Sequence, residues 1–225
     1  MNYDLSNGSP IDTNNFKIVH FNVNSILAPD RLEQLSSVCK ILKINVLVIT
    51  ESKLDQTIPT NLITIPGYHE PLRHDRPVNG RNGGGVLVYI AENLVFNHKI
   101  DLQSDHFEHI WVDVKLKTFT FAINALYRPP SATAADHEMF LTTAQSILHK
   151  LSDYSLATHK VITSDLNFGN CYCKIPILSP KPLDTSASDR FSCFGFQLLI
   201  NIPTRVTDSS ISLVDRIFVN QNQIR

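Results

Sequence analysis

Val161-Ile162-Thr163-Ser164-Asp165-Leu166-Asn167 is a short apolar, β-branched run that stops on a carboxylate and a carboxamide two residues apart. β-Branched residues suit a buried strand. Side chains at i and i+2 leave a strand on the same face, so Asp165 and Asn167 can converge on one ligand where the extended geometry persists. The plainer alternative is a strand followed by an Asx-type turn, since Asp and Asn favour turns. The choice depends on what the rest of the chain brings beside them.

Working outward, the same punctuation recurs. Phe16 to Phe21 alternates as a first strand and ends at Asn22-Val23-Asn24-Ser25. Ile44 to Thr50 is a continuous apolar run of strand length, and it ends at Glu51-Ser52-Lys53. Between them, Leu32, Leu35, Val38, Cys39 and Leu42 fall at spacings of three and four, which predicts a helix over Pro29–Leu42 with Asp30 near its positive end. Phe107–Lys115 and Thr118–Leu126 read as a hairpin whose second strand reaches Tyr127 and stops at Arg128-Pro129-Pro130. A second helix is predicted over Ala134–Leu151, immediately before the opening stretch. Strand–helix–strand therefore occurs twice, which points to an α/β fold.

Elsewhere the signals are weaker. Residues 54–83 are turn-rich, with Tyr68–Arg73 as a candidate strand. Gly83-Gly84-Gly85 precedes the strand Val86–Ile90. A phosphate loop follows a strand instead, so these glycines read as a turn that permits close backbone approach. Residues 168–187 read as a long loop, Ser188–Gln197 as a short helix, and Leu198–Ile202 and Ser212–Val219 as strands, the last carrying Asp215. Residues 1–15 read as a flexible lead-in and 16–225 as one domain.

Composition narrows the function. The 225 residues are 43% hydrophobic and 18% charged, which is enough apolar content for a sizeable core. The formal net charge of −1 supplies no global field to attract nucleic acid, so contact with DNA would have to be local or helped by a metal. Of Cys39, Cys171, Cys173 and Cys193 only one pair is close, which is weak as a zinc site and reads as reduced thiols. No signal-peptide core and no run of membrane-span length is present, so the expectation is a soluble, intracellular protein, nuclear only if its substrate is DNA.

Four strands thus end on polar groups: Asn22 and Asn24, Glu51, Tyr127 and Arg128, Asp165 and Asn167. Sites in α/β proteins form beyond the carboxyl ends of strands. A Glu and an Asp at one rim, with Asn and Tyr donors beside them, suit a hard divalent cation and a phosphodiester. Mg²⁺ takes oxygen ligands and keeps several waters, so one or two carboxylates suffice. Charge developing on phosphorus would then be met by fixed donors and the cation.

The order of these motifs resembles the endonuclease/exonuclease/phosphatase superfamily, and more closely the apurinic-type endonuclease domain of LINE-type (non-LTR) retrotransposons. The resemblance runs through Phe21–Ile26, Ile49–Leu54, Gly83–Val86, Tyr127–Pro130, Ser164–Asn167, Pro203-Thr204-Arg205 and Ser212–Asp215, covering residues 16–220. It implies a four-layer α/β sandwich, with two packed mixed β-sheets flanked by helices. It also implies Mg²⁺-dependent DNA nicking, with Mn²⁺ able to substitute, that primes reverse transcription by a reverse transcriptase domain of the same polyprotein.

By position, Glu51 is the implied metal ligand, with Asn22 and Asn24 as further candidates. Tyr127 would contact phosphate, Asp165 would position the attacking water, and Asn167 would bind the phosphate. Asp215 would hold a catalytic His. Arg128, Arg205, Arg73, Arg76 and Arg81 are candidate DNA contacts, the last three in a loop which, with 168–187, is expected to face DNA.

Three positions depart from the family pattern. Asn24 stands where repair enzymes of the superfamily have Asp, and Ser164 replaces a Gly and is expected to crowd the approach. The family's terminal Ser-Asp-His is not among these residues. The resemblance therefore implies that a last strand or loop of the sandwich is missing, with nicking weak or lost. The chain's nine His residues read as surface or packing residues. Two alternatives remain: an inactive or domesticated DNA-binding fragment, or another phosphodiesterase of the superfamily.

Overall fold

Two β–α–β units organise the molecule, and each delivers a parallel strand pair to the same rim. The computed structural model describes residues 15–76, 83–130, 133–152, 159–167, 182–200, 204–206, 211, 212 and 214–220. In the first unit β1 (Ile18–Asn22) runs through α1 (Arg31–Leu42) to β2 (Val46–Thr50), and the strands pair in parallel with Asn22 opposite Thr50. Strands β3 (Leu72–His74) and β4 (Val86–Ile90) complete a four-stranded sheet in the order β1-β2-β4-β3.

In the second unit β7 (Thr120–Tyr127) runs through α2 (Ala134–Ser152) to β8 (His159–Asp165), again in parallel, with Tyr127 opposite Asp165. Around it lie β5 (Val95–His98), β6 (His109–Lys115), β9 (Phe196–Leu198) and β12 (Asp215–Asn220). The order is β5-β6-β7-β8-β12-β9. A two-strand ladder, β10 (Arg205–Val206) and β11 (Ile211–Ser212), precedes β12.

Strand alternation partitions the core into three layers of contact. Val46 and Val48 of β2, with Val86 and Val88 of β4, face Ile110, Val112, Ile123 and Ala125 of the other sheet. The residues between them, Leu47, Ile49, Leu87 and Tyr89, face outward and pack under Leu35 and Cys39 of α1. On the other side Trp111, Ala122, Leu126, Ile162 and Phe218 pack under Phe140, Leu141, Ala144, Ile147 and Leu148 of α2, together with Phe191 of α3 (Pro182–Cys193). The protein is a four-layer α/β sandwich of two mixed sheets flanked by helices, and it is held by burial of both faces of each sheet.

Both long helices lie where hydrophobic spacing predicted them. In α2 the buried positions 137, 140, 141, 144, 147, 148 and 151 form one stripe. Thr133 and Asp136 cap the helix reciprocally: Asp136 N–H donates to Thr133 Oγ1 at 3.2 Å, and Thr133 N–H donates to Asp136 Oδ2 at 2.8 Å. Thr133→Ala is expected to cost about 1 kcal/mol, read as a lower midpoint in urea unfolding with unchanged slope. Before α1, Asp30 has φ 59° and makes no side-chain capping bond, so it contributes charge alone.

Some boundaries moved. The long loop expected over 168–187 ends earlier, because α3 begins at Pro182; proline suits a first helical position, where its missing N–H costs nothing. The helix expected over Ser188–Gln197 accordingly ends at Cys193, and the strand expected at Leu198 begins at Phe196. Strand β5 had no strong alternation, and its formation follows from pairing with β6. The lead-in up to residue 14, Cys171, Cys173 and residues 168–181 of the loop lie outside the described residues. No helix among the described residues is long and apolar enough to cross a membrane.

Candidate active site

Period-two alternation aims one residue from the tip of each central strand into the gap between the sheets. In the first sheet these are Asn22 and Thr50, and in the second Tyr127 and Asp165. Strand β12 is antiparallel to β8, and its first residue, Asp215, is the register partner of Asp165. Glu51 follows Thr50 directly. Residues up to 193 positions apart in the chain thus meet at one rim.

The two sheets are joined here by a side-chain bond: Asn22 Nδ2 donates to Asp165 Oδ2 at 2.7 Å. The other oxygen, Asp165 Oδ1, is buried without a hydrogen-bond partner among the described residues. Asp165 is 1% exposed. Its burial and the charge of Asp215 push the carboxyl up to about 7, against the pull of the Asn22 bond in the other direction. Burial also raises Asp215, opposed by the Thr204 hydroxyl. Thr204 Oγ1 in turn accepts from the N–H groups of Val214 and Asp215 at 3.2 and 3.0 Å. Sequence reading assigned Thr204 no role; the Pro-Thr-Arg motif was its only signal.

Glu51 has φ 54°, outside the range most side-chain-bearing residues adopt, and this turn aims its carboxylate across the gap. Tyr127 O–H donates toward Glu51 Oε1 at 3.4 Å. Burial and the neighbouring charges of Glu51 and Asp165 hold the phenol well above its ordinary value, so it remains a donor. Above its ring sits the Arg76 guanidinium, 5.5 Å from the centroid and ion-paired with Glu108. Asn24 and Asn167 also have positive φ, 48° and 49°. Asn24 Oδ1 accepts from Lys53 Nζ. Asn167 Nδ2 donates to Arg128 O at 2.9 Å and ties the tips of β7 and β8 together.

The triple glycine supports this rim from behind. Ser52 N–H and Lys53 N–H donate to the carbonyls of Gly85 and Gly84. Gly84 has φ +84°, and a Cβ there would lie 2.5 Å from Arg76 Cζ. Gly84→Ala is therefore expected to destabilise the fold by roughly 1–2 kcal/mol and to dislodge Arg76 from Tyr127. Urea unfolding measures the first effect, and the tyrosine absorbance titration, shifted upward because the Arg76 charge pulls the Tyr127 phenol down, the second.

Of the five candidate arginines, the three whose side chains are described are engaged with other groups of the protein. Arg73 is spent internally: it pairs with Asp75 and donates to the carbonyls of Ile58 and Asp55. Arg128 is 6% exposed, and its guanidinium donates to Leu166 O at 3.1 Å. Arg76 is committed to Glu108. Arg81 and the Arg205 side chain lie outside the described residues. Ser164 does not crowd the rim, because it faces the opposite side of β8 and its Oγ donates to Arg216 O at 3.1 Å.

The donor set is all oxygen and acidic, which fits a hard divalent cation. Among the described residues no three His, Cys, Asp or Glu gather closely enough to enclose an ion. Glu51 is the residue that could hold an ion retaining most of its waters.

No family model matches the chain, and no curated protein matches it. Solved structures do. The endonuclease domain of TRAS1, a telomere-specific non-LTR retrotransposon, superposes with a TM-score of 0.67 at 13% identity, over 92% of this chain and 86% of that one. The AP endonuclease LMAP from Leishmania major gives 0.69 at 13% identity, over 96% and 85%. The 3′ phosphatase NExo from Neisseria, bound to a product DNA hairpin, gives 0.60 at 14%, over 91% and 86%. The chain shares the four-layer α/β fold of these solved nucleases and phosphatases.

Proposed function

We propose that this protein is a divalent-cation-dependent DNA endonuclease that hydrolyses one phosphodiester and leaves a nick, used to prime reverse transcription. The observation that carries the reading is the joint rim. Asn22 and Glu51 of one sheet face Tyr127, Asp165 and Asp215 of the other, with Asn22 bonded to Asp165. Oxygen ligands, a near-neutral base and neutral donors are what phosphodiester hydrolysis asks of a site. The similar folds include a retrotransposon endonuclease domain and an enzyme holding product DNA, which supports DNA as the substrate.

In this reading Glu51 would hold Mg²⁺, or Mn²⁺ in its place, which would supply positive charge to offset that developing on the phosphate. Asn22 keeps Asp165 Oδ2 engaged and leaves Oδ1, which has no hydrogen-bond partner among the described residues, as the oxygen that would receive the water's proton. Asp165 Oδ1 takes the water's proton as its oxygen bonds to phosphorus. The bond from phosphorus to the 3′ oxygen breaks, that oxygen takes a proton from solvent, and a 3′ hydroxyl and a 5′ phosphate are released. Tyr127, protonated throughout, donates to a non-bridging phosphate oxygen. Asn167 braces the tip that carries Asp165.

The test is conversion of supercoiled plasmid to nicked circle by the purified chain in Mg²⁺ or Mn²⁺, with chelator as control. Nicked product extendable by a polymerase, and so bearing a 3′ hydroxyl, supports the reading. Binding of DNA without cleavage in either cation would reject the hydrolytic role.

A further inference from the structure

His20 takes part in no step above, although it lies directly beneath the site. It precedes Asn22 by two residues on β1, so both side chains enter the gap between the sheets. The imidazole is 4% exposed. Its Nε2 lies 2.9 Å from Thr50 Oγ1, and its Nδ1 lies 3.8 Å from Asp215 Oδ1. That carboxylate oxygen is buried and has no hydrogen-bond partner among the described residues. Burial of this kind leaves a group in need of a donor nearby.

The chemistry of the three groups admits one assignment that satisfies them all. A neutral imidazole carries one N–H and one lone pair, and here one ring nitrogen faces Thr50 Oγ1 and the other faces Asp215 Oδ1. An ionised carboxylate can only accept, whereas a hydroxyl can donate or accept. An Nε2–H ring would turn its Nδ1 lone pair toward the lone pairs of Asp215, which is repulsive. We infer that His20 is a positioning residue for Asp215: Thr50 O–H donates to Nε2 and thereby locks the Nδ1–H tautomer with its N–H facing Asp215 Oδ1. At 3.8 Å the contact is longer than a hydrogen bond, so it acts as a dipole facing a charge, and no proton moves. Its effect is to hold Asp215 in one orientation beside its register partner Asp165. The consequence for catalysis rests on the nuclease reading; the tautomer does not.

Two measurements separate these. With ¹⁵N-histidine in the full chain, long-range ¹H–¹⁵N spectra near pH 7.5 are expected to show His20 as the Nδ1–H tautomer, assigned by its absence in His20→Asn. Thr50→Val is expected to abolish the single-tautomer signature. An Nε2–H ring in the unaltered chain, or spectra indifferent to Thr50→Val, would overturn the inference. In nicking assays His20→Asn, whose amide nitrogen overlays Nδ1, is expected to keep kcat within about 3-fold, whereas His20→Gln, whose amide overlays Nε2, loses roughly 10-fold with KM nearly unchanged. Equal losses in the two variants would also overturn it. If the unaltered chain nicks in neither cation, the nuclease reading fails by itself, and the tautomer still decides the arrangement of His20.

Discussion

Asp165→Asn is expected to lower nicking by roughly 10³-fold while raising the melting temperature of the same protein. The opposed signs have one cause. The carboxylate is 1% exposed, faces Asp215, and is shifted from 3.8 up to about 7, so the folded chain holds a charge that the unfolded chain holds at less cost. A carboxyl whose folded pKa is raised favours folding fully below the unfolded value, and that advantage is lost as pH rises from about 3.8 to about 7. Each unit is worth about 1.4 kcal/mol, so the penalty above pH 7 is on the order of a few kcal/mol.

Asparagine removes the charge, and its Oδ1 still accepts from Asn22 Nδ2. The stabilisation should therefore be small at pH 4 and largest at pH 8, where roughly 5 °C or more is expected for a chain of this size. Buried neutral His20 and His109, with pKa values lowered to about 4 and about 3, weaken both proteins alike as pH falls, so the difference isolates Asp165. Melting curves in chelator at both pH values give the answer. A gain that does not depend on pH would show that the buried charge is not its source, and retained nicking would remove Asp165 from the role of base.

Glu51→Gln should do the reverse: little change in the fold without cation, and loss of the response to cation. The substitution is isosteric, and Tyr127 can still donate to the side-chain oxygen. The carboxylate is what a hard ion needs. Mg²⁺ or Mn²⁺ that binds the folded chain raises its melting temperature by mass action, and this increment should vanish in the variant. Nicking should fall roughly 10²–10³-fold, in keeping with the several kcal/mol that such an ion supplies. A second readout is internal. Glu51 is among the charges that raise the Tyr127 phenol, so the variant's tyrosine titration should move downward. An unchanged cation-dependent increment in melting would place the ion elsewhere.

Much of this arrangement was legible in the chain. The alternation of Val161–Asp165 and the continuous run ending at Thr50 mark buried strands, and spacings of three and four mark α1 and α2. Asn22, Glu51, Tyr127 and Asp165 were found because each closes such a strand. Less legible were residues whose role is given by a distant partner. Arg73, Arg76 and Arg128 looked alike as loop cations, yet the fold spends each on buried acceptors. Thr204 and His20 looked idle and lie against Asp215. The end of α2 can be read from local spacing; the start of α3 at Pro182 could not, because no apolar stripe announces it.

By itself the sequence determined the strands and helices, and which residues stand at the strand tips, because periodicity and β-branching are local properties of the chain. Asp165 and Asn167 began as equally good candidates for a turn. Only the tertiary structure decided between them: Asp165 faces Asn22 across the sheets and Asp215 along the ladder, while Asn167 turns back to Arg128 O. The register of β8 with β7 and β12 sets that outcome, since a shift by one residue would send Asp165 to the opposite face, under α2.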